Sequence, residues 1–216
     1  METVAVTVSY ARVLDWVKAF ASTVAENREY LTRLDSAIGD ADHGTNMDRG
    51  MKAVLAKLDA QEGEDIGALL KTVGMTLIST VGGAGGPLYG TLFLQMGMAT
   101  TGKSELQPED WAVALDGAVS GVQMRGKAEL GDKTMLDALI PARDTFNSAL
   151  ADGASFEDAL RRSAQAAQQG MESTVPLVAK KGRASYLGER SAGHQDPGAT
   201  STHLLIETAA ETWAPE

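Results

Sequence analysis

The chain has 216 residues, 44% of them hydrophobic, and a net charge of −10, which excludes a disordered chain and, on charge alone, binding to nucleic acid or an anionic membrane. It has no cysteine, so disulfides, cysteine zinc sites and thiol nucleophiles are excluded together, and a cytoplasmic location is expected. At this length one domain spanning 1–216 with a sizeable core is expected, and any phosphate ligand would need metal ions or helix N-termini to offset the acidity.

The opening METVAVTVSYARVLDW lacks a basic leader followed by an apolar stretch, so no secretory signal is expected. The longest apolar runs fall far short of the ~20 residues that span a bilayer. Thr3–Ser9 alternates like a strand but stands alone, so residues 1–8 are expected to form an extended tail. From there apolar residues recur at a period near 3.6. Residues 9–33 align Val13, Trp16, Val17, Phe20, Val24 and Leu31, and residues 46–59 align Met47, Met51, Val54, Leu55 and Leu58. Further segments follow near 65–80, 87–101, 108–125, 132–152, 155–180 and 200–212. Pro108 with Glu109 and Asp110 suits a first helical turn, and Ser155 with Asp158 resembles a capping box. Pro141 and Pro176 lie inside helical patterns and are expected to kink or break them. Aromatics are 5%, so Leu, Val, Ala and Met carry the core, and the nine methionines read as filling. The expectation is an all-α fold: an antiparallel bundle of eight helices with short loops.

Gly97–Ser104, GMATTGKS, matches the phosphate-loop pattern GxxxxGK[ST]. Its context does not. No strand feeds it, and Pro108 interrupts any helix starting at Lys103. A polar turn after a helix is the expected reading.

Four other connections hold groups suited to chemistry. Asp35, Asp40, Asp42, His43, Asn46 and Asp48 fall within fourteen positions, with Gly39 and Gly44 allowing the chain to fold back. Converging carboxylates repel, and a cation relieves them; hard oxygen ligands select Mg²⁺ or Ca²⁺. The EF-hand pattern fails, because its glycine and glutamate positions fall on Thr45 and Met51. His43 is a candidate ligand, base or phosphate contact. The same residue types also build ordinary capped turns, and spacing alone does not choose between the two. VGGAGGP, Val81–Pro87, suits close backbone approach to a ligand or a plain connector. RGKAELGDKTMLDAL, Arg125–Leu139, offers Asp132 as a cap for the following helix, with Lys127 and Lys133 read as surface charges. Lys180–Thr202 is the longest segment without helical pattern and combines Arg183, Arg190, His194 and Asp196 with three glycines. In an antiparallel bundle alternate connections share one end. These four are alternate, so they are expected to gather there, as a Mg-nucleotide site requires.

LDSAIGDADHGTNM, GGAGGPLYGT, GDKTMLDAL and GRASYLGERSAGHQDPGATS, in that order, resemble the nucleotide-binding L subunits of dihydroxyacetone kinases over nearly the whole chain. The resemblance implies an eight-helix barrel holding ADP or ATP with two Mg²⁺ at one end. It implies Asp35, Asp40 and Asp42 as metal ligands. It implies nucleotide contacts from His43, Gly44, Thr45, Asn46, Ala84, Gly85, Gly126, Met135, Arg183 and the Asp196-Pro197-Gly198 turn. Arg183 would offset developing charge during transfer, while Asp48 is expected to serve only a helix N-terminus. The family often carries Ser where this chain has Gly85, so a hydroxyl contact is lost there and the amide remains. The implied partners are a K subunit that holds dihydroxyacetone and, in some relatives, a phosphotransferase-system M subunit; a homodimer is a further expectation. A kinase for a related ketose such as erythrulose, and a regulatory nucleotide-binding module, are the alternative readings.

Overall fold

The structure, a computed structural model, describes residues 7–59 and 63–214. Among these, nine α-helices form an all-α bundle around one main core. Helices α1 (Tyr10–Glu26) and α2 (Arg28–Ile38) replace the single helix expected over 9–33. The break is at Asn27, whose backbone and side-chain amides both donate to the Thr23 carbonyl, at 3.0 and 2.9 Å. A short amide side chain competing for helix carbonyls ends α1. Then follow α3 (His43–Leu58), α4 (Ile66–Thr80), α5 (Gly85–Ala99), α6 (Pro108–Gly126), α7 (Leu136–Ala151), α8 (Phe156–Ser173) and α9 (Pro197–Trp213).

The N-terminal stretch is not solitary where it is described. Strand β1 (Val8–Ser9) pairs antiparallel with β2 (Glu105–Leu106), and Val8 and Leu106, opposite one another, are fully buried. Residues 1–6 of the expected tail lie outside the described residues. Pro108 is the first residue of α6, where Gln107 and Asp110 form a complete capping box. Pro176 follows the end of α8, as expected of a breaker. Pro141 instead sits within α7 without ending it. A proline there cannot donate to the Asp137 carbonyl. Gly170 of α8 packs against that same carbonyl, where a Cβ would collide.

Helices α4 and α5 run antiparallel. Gly67 faces Gly97 and Gly74 faces Gly90, which brings α4 and α5 together backbone to backbone. Trp16, Trp111 and Trp213 interlock edge-on at the end holding the start of α1, the start of α6 and the finish of α9. The phosphate-loop look-alike lies at that same end: Lys103 pairs with Asp110 at 3.0 Å, and the Gly102 amide donates to Asp65. No helix among the described residues is long and apolar enough to cross a membrane.

Candidate functional site

At the other end, the α2–α3, α4–α5, α6–α7 and α8–α9 connections surround one open cavity of about 340 Å³. That volume is in the range of small-molecule sites. The starts of α3, α5, α7 and α9 all border it, so four helix N-termini bring positive dipole ends to a protein that is acidic overall.

The acidic run folds back as its glycines allow. Asp35, on the last turns of α2, accepts the amides of Asp42 and His43 on one carboxylate oxygen, at 2.8 and 3.1 Å. It thereby caps α3 from outside, while the nominal cap residue Asp42 makes no side-chain cap bond. This fold-over requires Gly39, where any Cβ would strike the Asp35 carboxylate. Ala41 takes a positive φ of 62°, an uncommon strain for alanine. Asp35, Asp40 and Asp42 each bring one oxygen within 4.8 Å of the others. The only cation paired with them among the described residues is Arg183, whose Nε lies 3.0 Å from Asp40. Three hard oxygen donors at the cavity, from a buried Asp35, a half-buried Asp42 and an exposed Asp40, with a single cation paired to them among the described residues, fit a magnesium ion.

His43 sits at the cavity wall. Its Nε2 lies 2.8 Å from the Ser201 hydroxyl, which also meets the Tyr89 hydroxyl at 2.7 Å and the Pro197 and Gly198 carbonyls. If Ser201 donates to those carbonyls, it accepts from both His43 and Tyr89, which leaves His43 Nδ1 as a bare acceptor. Burial holds the imidazole below its ordinary pKa, against the pull of Asp35 and Asp42. Burial likewise pushes the Tyr89 phenol up to about 12. At the start of α5 no side chain caps the first amides, and Ala84 and Gly85 line the cavity with those donors free of a side-chain acceptor.

Asn46, Gly126, Met135, Arg183, Asp196, Pro197 and Gly198 also line the cavity. Gly44 and Thr45 do not. Gly44 faces away, against the Arg28 carbonyl, where a side chain would clash, and Thr45 is exposed to solvent. Asp48 serves no helix N-terminus: it lies inside α3 and pairs with Lys52 one turn on, at 2.7 Å. The long connection is irregular at residues 174–182 and 192–196 but holds 3-10 turns between them, interrupted at Gly188. Arg183–Ser191 forms a 3-10 segment, anchored where Ile38, Ala179, Ala184 and Leu187 pack together, and α9 begins already at Pro197.

Two expectations for the α6–α7 loop are corrected. Asp132 does not cap α7; it accepts the Glu129 amide at 2.9 Å and pairs with Lys180. Lys133 is no surface charge, being 1% exposed and part of the cavity wall. Asp196 caps α9 through the Ala199 amide at 2.7 Å. Burial raises its pKa to about 7, opposed by the bonds from Ala199 and Gly198 and by Lys133, and reinforced by Asp137. Lys133 is lowered by burial, against the pull of Asp196 and Asp137. Tyr89, Lys133, Arg125 and Lys181 are cavity residues that motif reading missed. A lysine between Gly131-Asp132 and Thr134, in a loop already assigned to this end, was the available signal for Lys133.

The DAK2 domain family matches residues 37–211. The chain is 45% identical over 203 residues to the PEP-dependent dihydroxyacetone kinase, ADP-binding subunit DhaL, of Escherichia coli, covering 94% of this chain and 96% of that one. It is 39% identical over 201 residues to the PTS-dependent dihydroxyacetone kinase, ADP-binding subunit DhaL, of Lactococcus lactis, covering 93% and 96%. The fold superposes with a TM-score of 0.71 on the dihydroxyacetone kinase of C. freundii in complex with AMP-PNP and Mg²⁺, at 25% identity. That match covers 98% of this chain and 36% of the longer kinase.

Proposed function

The chain belongs to the DAK2 domain family, together with the DhaL subunits, and from that premise we propose that it is the Mg-nucleotide-binding subunit of a dihydroxyacetone kinase. The observation that carries this reading is the convergence of Asp35, Asp40 and Asp42 at a cavity ringed by four helix N-termini. Those carboxylates would hold Mg²⁺, two ions by the family resemblance. When bound, Mg²⁺ neutralises charge on the β- and γ-phosphates, the main requirement of a transfer that depends on positioning and electrostatics.

The chain's own residues do the rest. The uncapped amides at the start of α5 donate to phosphate oxygens. His43 presents an acceptor held in place by Ser201. Arg183, within reach of Asp40, offsets charge developing on the transferred group. Met135 and the Asp196-Pro197-Gly198 turn form the wall against base and ribose. Gly44 and Thr45 contribute through the α3 N-terminus, since Gly44 faces the Arg28 carbonyl and Thr45 is exposed off the cavity. By the family resemblance, the sugar acceptor would come held on a separate K subunit, which would also supply any base. We assign the whole chain to this one domain.

The end-to-end match to PEP- and PTS-dependent subunits favours a nucleotide that is rephosphorylated in place by an M subunit over freely exchanging ATP. Turnover with K subunit, M subunit and the phosphoenolpyruvate components, and none with K subunit and ATP, is the expected result. Turnover with ATP alone would assign the exchanging type. Isothermal titration of Mg-ADP against the wild-type chain and Asp40→Ala tests the site itself. Unchanged affinity in the variant would sink the metal-ligand assignment.

A further inference from the structure

The α6–α7 loop, residues 127–135, owes its shape to buried charges. Asp137 accepts the amides of Gly131 and Thr134, at 2.6 and 2.7 Å. Lys133 takes a left-handed φ of 62°, which costs a non-glycine residue about 1 kcal/mol or more. Its whole side chain is buried, and no carboxylate lies within ion-pair distance of it among the described residues. Its ammonium donates instead to backbone carbonyls: His194 at 2.5 Å, Thr174 at 2.7 Å and Leu177 at 3.1 Å, with Val175 farther off at 3.4 Å. An ammonium has three hydrogens and no acceptor, so the three near carbonyls account for all of them. Burying an ammonium is costly unless every donor is used in this way.

Those carbonyls belong to separate pieces of the cavity end. Thr174 closes α8, Leu177 lies in the turn after it, and His194 stands two residues before Asp196, the cap of α9. The Thr174 hydroxyl also accepts the Asp196 amide at 3.0 Å. One cation therefore ties Thr134 and Met135, its neighbours in sequence, to the α9 N-terminus.

We propose that Lys133 is a positioning residue for the nucleotide: by gathering the carbonyls of Thr174, Leu177 and His194, its ammonium fixes the spacing between the Met135 wall and the Asp196-Pro197-Gly198 turn. The inference rests on the Mg-nucleotide reading above. It makes charge at this position, rather than bulk, the determinant of affinity.

The absence of cysteine allows a clean test, because Lys133→Cys creates a unique thiol. The unfolded variant is alkylated with 2-bromoethylamine, the thiolate displacing bromide to give a side chain of lysine length with its ammonium. A parallel sample takes 1-bromopropane, giving the same length without charge. Both are refolded, checked for native helicity by circular dichroism, and titrated with Mg-ADP. The neutral form is expected to fold and to bind at least about tenfold more weakly, and the aminoethyl form to return within about twofold of wild type, as fits hydrogen bonds from a charged donor. Equal binding by the two alkylated forms would overturn the inference. So would a neutral form that fails to refold while the charged form refolds, since the ammonium would then serve the fold as a whole. A wild-type chain that does not bind Mg-ADP overturns the nucleotide reading, and this inference with it.

Discussion

The two ends of the bundle are held together by opposite means. At one end three indoles interlock at centroid distances of 4.7, 5.2 and 5.3 Å, and the ring N–H groups of Trp16 and Trp213 are satisfied by the Leu205 and Arg12 carbonyls. At the other end the contacts are carboxylates, one buried ammonium and hydroxyls, and the three non-glycine residues of positive φ among the described residues, Ala41, Lys127 and Lys133, fall in its loops. Strain and buried polarity persist only where surrounding structure over-determines them. The contrast indicates a division of labour along the helix axes. The apolar end supplies stability that allows the polar end to be shaped for a ligand rather than for packing.

The largest expected effect tests that division directly. Trp16→Ala removes the indole that touches Trp111, Trp213 and Phe93 and should lower unfolding free energy by about 3–5 kcal/mol, read from urea denaturation. Mg-ADP affinity of the folded fraction should stay at the wild-type value. A matching loss of affinity would show that the two ends are mechanically one.

The next effect belongs to the polar end and appears as a pH dependence. The Asp196 pKa rises from an ordinary carboxylate value to about 7 on folding. The folded state therefore binds more protons than the unfolded state between about pH 4 and 7, and this group's contribution to stability falls as pH rises through that window. The expected size is on the order of 4 kcal/mol. Asp196→Asn keeps an acceptor for the Ala199 amide and removes the titration. The stability difference between variant and wild type should change across that window and level off above it. Parallel profiles would mean that Lys133 already keeps Asp196 ionised throughout.

A smaller contrast separates two members of the acidic triplet. Asp35→Ala should weaken Mg-ADP binding and also cost about 1 kcal/mol of stability, because the Asp42 and His43 amides lose their acceptor. Asp40→Ala should weaken Mg-ADP binding with stability within about 0.5 kcal/mol of wild type, since Asp40 is exposed and its only partner among the described residues is the exposed Arg183. Equal stability losses in the two would contradict the capping role of Asp35.

Much of this polarity was legible in the residues. Helix period and alternate connections were enough to expect an all-α bundle with four loops at one end, because both follow from local periodicity. The triplet Asp35, Asp40 and Asp42 was visible because glycines mark where a chain can fold back. What escaped depends on which way a side chain points. Lys133 reads as a surface charge from composition, and only backbone carbonyls distant in sequence, those of Thr174, Leu177 and His194, make its burial possible. Tyr89 carries no mark of its role in the sequence, because its link to His43 runs through Ser201 on α9. Asn27 splits a continuous apolar stripe through a local amide bond that periodicity does not register.

The smallest expected effect asks how the polar end recognises its ligand. Gly85 lines the cavity at the start of α5, and a Cβ there would meet nothing closer than Val81 at 3.4 Å. Its φ is not in the left-handed region, so a side chain fits without strain. Gly85→Ser should leave the fold intact and add about 0.5 kcal/mol of stability through the unfolded chain's lost freedom. It places a hydroxyl beside the uncapped α5 amides. If backbone donors carry phosphate recognition, the added hydroxyl should raise Mg-ADP affinity by at most about fivefold, one ordinary hydrogen bond. A much larger gain in titration would mean that a side-chain donor at this position dominates. The polar end would then owe its affinity to side-chain chemistry that a glycine at this position does not supply, rather than to the helix N-termini that surround the cavity.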